Sequence, residues 1–217
     1  MSNAPRPLYG TTVKLSQNHS MISTAYHESG HAICTLLMFG KVSSVFVEKN
    51  RRVSGETNFE LIDCEYNDIQ ELHNFVINSE ISINYAGMIA EKILYKDITG
   101  STIWPKVLKI GCESDIKRIT ELIKKNNLSP PGEKRYRLKN KIQRNINKLL
   151  LEHWDAIKII AHALFERNRL VHDDIKYLLI KKSNNPKFWI NQFKHINLFI
   201  DQNKLIDNKD MKIIFGR

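Results

Sequence analysis

The chain has 217 residues, of which 42% are hydrophobic and 26% are charged. This is the composition of a folded globular protein, and it excludes a largely disordered chain. The formal net charge of +10 is unevenly distributed, because residues 1–100 sum to −3 and residues 101–217 sum to +13.

The cysteines and the hydropathy pattern indicate a soluble protein of a reducing compartment. Cys34, Cys64 and Cys112 are odd in number and widely spaced, which does not suit a disulfide framework. The sequence contains no run of about 18 apolar residues, so it predicts no membrane span. We therefore expect a cytoplasmic protein without a membrane span.

The basic second half allows two interpretations. Clustered Lys and Arg residues can bind nucleic acid, anionic lipid or an acidic protein surface. The lysines between Lys134 and Lys182 are evenly spaced, however, as on the solvated faces of amphipathic helices. The sequence contains no recognised nucleic-acid motif, so a basic nucleic-acid-binding protein is only a second alternative.

The first hundred residues predict an arm, a helix, a hairpin and a further helical region. Residues 1–20 are polar and contain prolines, which predicts a flexible N-terminal arm. A helix is expected from Ser23, with Gly40 as its stop. Residues 42–48 and 53–59 alternate like two strands joined by a turn. Residues 68–95 predict one long helix or two consecutive helices.

The remainder is predicted to be helical. Residues 97–111 contain Gly100, Pro105 and Gly111 and predict a loop. Helical periodicity follows over residues 114–125 and 136–166, and a turn at 170–174 leads into a last helix ending at 181.

We expect a mainly α fold with a small β-hairpin or sheet. The predicted division is an arm over residues 1–20, a domain over 21–182 and a C-terminal extension over 183–217, with one or two short helices in the extension.

The most informative motif is H-E-x-x-H, formed by His27, Glu28 and His31. Histidines four residues apart on a helix lie on the same face, so both imidazoles can bind one ion. Zinc suits such a site because it accepts imidazole nitrogen and leaves a position open for water. A zinc-bound water has a pKa of about 7, and Glu28 is placed to act as its general base. Such short strings also occur by chance in helices without a metal.

The surrounding sequence resembles the peptidase domain of the FtsH-type zinc metalloproteases. Thr-Ala-Tyr-His-Glu-Ser-Gly-His-Ala is similar to that family's zinc helix. Further similar blocks extend the resemblance over roughly residues 22–182; they lie at residues 45–57, 85–95, 111–120 and 149–179. The resemblance implies a helical, zincin-like peptidase domain.

The resemblance also implies the third metal ligand. Residues 111–115 resemble the family's Gly-Ala-x-x-Asp segment, with Cys112 in place of the alanine, so Asp115 is expected to complete a Zn²⁺ site with His27 and His31. An Asp near the start of a helix is also favoured by the helix dipole alone. Glu113 is the fallback ligand.

The sequence predicts less specific roles for three further residues. Glu91 could orient a ligand histidine through a hydrogen bond, or it could be an ordinary charge on a helix face. Cys112 is expected to be a small packing residue rather than a thiolate ligand. Trp104 lies in about ten residues, 98–110, that the family pattern lacks, so it is a candidate for lining or covering the cleft.

The expected function is that of a zinc metallopeptidase. It would hydrolyse peptide bonds of unfolded or flexible polypeptides without an ATPase of its own, since the sequence contains no Gly-rich phosphate loop. A separate ATPase or adaptor chain could supply substrates. The first alternative is a latent or inactive zinc-binding homologue that acts as a protein-interaction module.

Overall fold

The computed structural model describes residues 17–49, 53–61, 70–102, 112–126, 128 and 133–200. Within them the fold is mainly α with one small antiparallel sheet, which confirms the predicted fold class. The helices are α1 Gln17–Leu37, α2 Gln70–Thr99, α3 Glu113–Lys125, α4 Glu133–Glu152, α5 Trp154–Arg167, α6 His172–Lys182 and α7 Pro186–Ile200. The strands are β1 Lys41–Lys49, β2 Val53–Glu60 and β3 Arg169–Val171.

Helix α1 is the centre of the fold. Every side chain over residues 25–36 is buried, as expected for a helix surrounded by other elements. It packs against α2, α5, β1 and β2. Gly30 allows the closest of these contacts, since a Cβ there would lie 2.6 Å from the carbonyl oxygen of Ala86. Gly30 therefore allows α2 to pack closely against the helix that carries the histidines.

The end of α1 is fixed by backbone conformation and by a distant side chain. Phe39 adopts a left-handed conformation with φ of 60°, and the Gly40 N–H donates to the Thr35 carbonyl at 2.9 Å. The side-chain amide of Gln192 in α7 donates to the Leu36 carbonyl at 2.6 Å. The helix therefore ends close to the predicted stop at Gly40, but the residue in the left-handed conformation is Phe39 and not the glycine.

The sheet has the order β2-β1-β3. Strands β1 and β2 form the predicted hairpin, with Val47 opposite Gly55 and Phe46 opposite Glu56. The short strand β3 pairs with the other edge of β1, with Leu170 opposite Val45. Sequence analysis predicted a turn at this place, because three residues are too few to show a strand pattern.

Other boundaries also differ from the predictions. Helix α1 begins at Gln17 rather than Ser23, and α2 is a single helix that continues through residues 97–99, which were predicted to be loop. It ends at Gly100, whose φ is 68°. The periodic run over 136–166 is two helices, because the chain breaks its helix at His153.

The part of the C-terminal extension that the structure describes packs onto the same core. Trp189, Phe193 and Ile196 of α7 are buried. The part of the extension that the structure describes contains one helix, which is in line with the one or two short helices expected after residue 183. No helix among the described residues combines the length and hydrophobicity that crossing a bilayer requires.

Candidate metal centre

The two histidines of the motif meet on the buried face of α1. His27 and His31 have ring centroids 4.6 Å apart, and their Nε2 atoms lie 2.9 Å from each other. Their exposures are only 6% and 8%, which leaves little room for solvent around the rings. The spacing of four residues thus produces the convergence that the motif predicts.

The carboxylate of Asp115 joins them from the first turn of α3. Its Oδ2 lies 3.1 Å from His27 Nε2 and 3.4 Å from His31 Nε2. Glu113, the fallback ligand, is exposed. The guanidinium of Arg118 binds Glu80 of α2 at 2.6 Å, and this partly exposed ion pair joins α3 to α2 one turn from Asp115.

Both imidazoles are oriented by partners at Nδ1. His27 Nδ1 lies 2.6 Å from Glu91 Oε1, and Ser23 donates to the other oxygen of that carboxylate at 3.0 Å. His31 Nδ1 donates to the carbonyl oxygen of Ile83 at 2.7 Å. Of the two roles left open for Glu91, the geometry matches the one that orients a histidine, since this side chain is buried and bound to His27.

These partners determine which atoms face the centre of the cluster. A neutral imidazole carries one N–H proton. In both rings this proton is on Nδ1, which donates it to an acceptor. Each Nε2 therefore presents a lone pair toward Asp115, whose buried Oδ2 has no hydrogen-bond partner. Three acceptor atoms in one buried place favour a cation between them, either a proton or a metal ion.

The pKa shifts of His27 and Asp115 agree with a cation at this place. Burial alone opposes a charged His27, but the side chains of Asp115, Cys112 and Glu91 outweigh it and raise the pKa of His27 well above its ordinary value. Burial also acts to raise the pKa of Asp115, yet the two imidazoles lower it below its ordinary range. A proton can serve as the cation, and a metal ion would have to displace it. These buried groups could bind a metal ion.

Gly87 of α2 makes room for the two imidazoles. A Cβ at this position would lie 2.5 Å from Nε2 of both His27 and His31. Only a residue without a side chain allows the α2 backbone to approach the rings this closely. Sequence analysis did not assign this glycine to the metal centre.

Glu28 lies in the same cleft and is held by β2. Thr57 donates its hydroxyl to Glu28 Oε2 at 2.7 Å, and the same hydroxyl lies 3.1 Å from the Glu28 carbonyl oxygen. Across from Glu28, a Cβ at Gly55 would lie 2.6 Å from its Cγ. The hairpin thus fixes the direction of this carboxylate, a contact that the sequence analysis missed because Thr57 lies 29 residues away.

The cleft above the cluster has a volume of about 450 Å³. Its walls come from α1, β2, α2 and α3; they include Ser54, Gly55, Glu56, Thr57, Phe59, Ile83, Asn84 and Ser114. Within the described sheet β2 is an edge strand, because only β1 pairs with it. The cleft is therefore bordered by an edge strand as well as by the three converging groups.

Cys112 lies beside His27 and Glu91. It is fully buried, and its Sγ is 3.9 Å from His27 Nδ1 and 3.8 Å from Glu91 Oε1. These three side chains form a second group that could hold a metal. Burial raises the pKa of the Cys112 thiol, although a contact with His27 opposes this, so the thiol form predicted for a packing residue is favoured.

Trp104 was predicted to line or cover the cleft. It lies in the segment 103–110, outside the described residues. Its role therefore stays a prediction.

Comparison with known proteins gives no family for this chain: no family model matches it, and no curated protein sequence aligns with it significantly. Its function is therefore inferred from the geometry of the candidate metal centre.

Proposed function

We propose that this protein is a zinc-dependent endopeptidase that cleaves unfolded or flexible polypeptides without an ATPase of its own. The observation that carries the proposal is the convergence of His27, His31 and Asp115 beside Glu28, in a cleft bordered by an edge strand. The resemblance of residues 22–182 to FtsH-type peptidase domains supports the same conclusion.

Zinc fits the donor set better than a hard cation. Two imidazole nitrogens and one carboxylate oxygen are a common catalytic set for zinc, whereas magnesium and calcium prefer oxygen ligands only. A zinc ion held by these three groups would lower the pKa of a bound water and polarise the carbonyl of a peptide bond. The same donors also suit non-haem iron, so the metal has to be measured.

Glu28 supplies the proton transfers of the proposed reaction. Its carboxylate accepts a proton from the attacking water and delivers it to the nitrogen of the departing amine. Thr57 holds one carboxylate oxygen at 2.7 Å, which leaves the other free to face the cleft. A general base fixed in this way does not have to reorganise before each transfer.

Strand β2 selects the conformation of the substrate. An edge strand offers unpaired backbone N–H and C=O groups, to which an extended peptide can add as a further strand. Such pairing recognises backbone rather than side chains, so it favours unfolded segments over folded domains. A separate ATPase or adaptor chain could deliver such segments, because the sequence contains no phosphate-binding loop.

The test compares wild-type protein with Glu28→Gln on an unfolded casein-like substrate. We expect the wild type to cleave it, a chelator to stop cleavage, and added zinc to restore it. Glu28→Gln should bind about one zinc per chain but lose cleavage by about a hundredfold or more, the usual size of a lost general base. Glu121→Gln, on the exposed face of α3, is the matched control and should remain active.

Two results would contradict the proposal. One is cleavage that survives Glu28→Gln at the wild-type rate. The other is protein that carries iron instead of zinc after purification without added metal.

A further inference from the structure

Strand β2 carries a carboxylate at the rim of the cleft above the metal centre. Side chains alternate between the two faces of a strand. Gly55 and Thr57 face α1, because the Thr57 hydroxyl binds Glu28 and a Cβ at Gly55 would lie 2.6 Å from Glu28 Cγ. Glu56 therefore faces the other way, and it is exposed while it lines the cleft. In sequence it lies between the two residues of β2 that approach the proposed general base.

The charge of the cleft wall is negative. Apart from the two histidines, the ionisable side chains among its described lining residues are the carboxylates of Glu28, Glu56, Glu91 and Asp115. Asp115 and Glu91 contact the histidines of the metal centre, and Glu28 is the proposed base, so Glu56 is the carboxylate without such a role. A concave surface lined by one sign of charge attracts ions of the opposite sign. Three of the four walls also come from the half of the chain whose charges sum to −3.

The cross-strand neighbour of Glu56 on β1 is uncharged. In the register of the hairpin Phe46 lies opposite Glu56, whereas Lys41 lies opposite Glu60 near the other end of β2. Side chains directly opposite each other on one face of a sheet interact, and opposite charges stabilise such a pair. Glu60 has a cation in that position within the hairpin. For Glu56, a second opposite residue would come from a strand added at the edge of β2 that does not pair with β1.

A peptide added at this edge would place every second side chain on the face of Glu56. The substrate residue paired with Glu56 would lie beside its carboxylate, and the residues before and after it would face the side of Glu28. Because Gly55 and Thr57 both approach Glu28, pairing at Glu56 brings the adjacent peptide bonds nearest to the general base. The paired residue would thus be within about two residues of the scissile bond, since strand neighbours are only about 3.3 Å apart.

We propose that Glu56 selects polypeptide segments that carry lysine or arginine at the position paired with it. Both side chains donate charge-assisted hydrogen bonds to a carboxylate. The pair lies at a solvated rim, so the preference is modest, about two- to fivefold, as for other cross-strand ion pairs. This inference rests on the proposed function, because it assigns a class of substrate to the same cleft.

Binding is measured in the Glu28→Gln background, so that the general base cannot promote cleavage during the measurement. The probes are two labelled, unstructured peptides of equal length, with lysine or glutamate at every second position, and fluorescence anisotropy reports their affinities at low salt. Adding Glu56→Gln should weaken binding of the lysine peptide by about two- to fivefold and strengthen binding of the glutamate peptide. Adding Glu56→Lys instead should shift both affinities further in the same directions, and added salt should reduce all these differences.

Glu60→Gln is the matched control. It removes a carboxylate that is also exposed on β2, about 13 Å along the strand from Glu56, but one that faces Lys41 and does not line the cleft. Both peptides should bind this variant as they bind the Glu28→Gln parent. Circular dichroism of each variant verifies that the fold is retained.

The sites of cleavage give a second measurement. Wild-type protein is incubated with a mixture of unstructured peptides, and mass spectrometry locates the bonds that it cleaves. Lysine and arginine should be enriched about two- to fivefold within two residues of those bonds, and Glu56→Gln should remove the enrichment.

Two results would overturn the inference. One is a lysine peptide that binds equally well with and without Glu56→Gln. The other is equal loss in Glu56→Gln and Glu60→Gln, which would indicate diffuse surface charge. Failure of the proposed function looks different: the lysine peptide would bind in a manner that depends on Glu56, while the wild type would cleave no peptide in the mixture.

Discussion

The two faces of α2 are built in different ways, because one borders the candidate metal centre and the other packs against α4. In the metal centre, buried side chains are held by buried partners, as Glu91 holds His27 at 2.6 Å. On the side toward α4, cations such as Lys96 of α2 and Arg144 of α4 are exposed. The difference teaches that one face of α2 fixes side-chain geometry through buried hydrogen bonds, whereas the other presents solvated charge.

The largest effect is expected at Asp115. Removing this carboxylate by Asp115→Ala takes away one of three converging donors, so stoichiometric zinc binding should be lost. Thermal unfolding measured with and without excess zinc checks this. A ligand at a thousand times its Kd stabilises the folded state by about 4 kcal/mol, and that increment should be absent in the variant. Glu113→Ala, at the exposed neighbouring acidic position, is the control.

Gly87→Ala should also damage the metal centre without changing any donor. Its new Cβ would lie 2.5 Å from both Nε2 atoms, so α2 or the imidazoles must move. We expect a loss of about 1–3 kcal/mol in the free energy of unfolding, together with weaker zinc binding. Denaturant unfolding and metal titration measure the two effects. Gly100→Asn is the control, because a Cβ there meets nothing within 4 Å and Asn tolerates a left-handed φ. Unchanged zinc affinity in Gly87→Ala would refute the close approach.

A smaller effect is expected from Glu91→Gln. The amide keeps the shape but replaces a charged acceptor of the His27 proton with a neutral one. The loss of a partner that orients a ligand usually lowers metal affinity by about 10–100-fold. Competition with a chromogenic zinc chelator measures it. If affinity equals that of the wild type, Glu91 is only a buried helix charge.

Thr57→Val tests whether the hairpin positions the general base. If the proposed peptidase activity holds, kcat should fall by about tenfold, because one charged hydrogen bond to Glu28 is removed while zinc binding is retained. Thr57→Ser restores the hydroxyl and should recover most of the rate. A Ser variant as slow as the Val variant would mean that packing, not the hydrogen bond, matters.

The smallest effect is expected at the exposed residues of α4. Arg144→Ala removes an exposed side chain, so the free energy of unfolding should change by no more than about 0.5 kcal/mol. Denaturant unfolding measures it beside Gly87→Ala. A loss of several kcal/mol would show that Arg144 belongs to a structural interface, as the residues of the metal centre do, and the comparison between the two faces would fail.

The sequence predicted the parts of the site whose information is local. Four-residue spacing on one helix was enough to pair His27 with His31, and Asp115 followed from the resemblance of its flanking residues. The role of Glu91 could not be decided, because a buried and an exposed glutamate look alike in a helical pattern.

Contacts between distant segments could not be read from local patterns. Thr57 reaches Glu28 only because β2 folds back along α1, and Gly87 reaches the imidazoles only because α2 packs against Gly30. The strand β3 was missed for a related reason, since its three residues pair with β1 across more than a hundred positions.

X-ray absorption at the zinc edge tests the central claim most directly, because it measures the ligands themselves. Coordination by His27, His31 and Asp115 predicts only nitrogen and oxygen neighbours at about 2.0–2.2 Å. A sulfur neighbour at about 2.3 Å would contradict it and would assign the metal to the group of His27, Glu91 and Cys112.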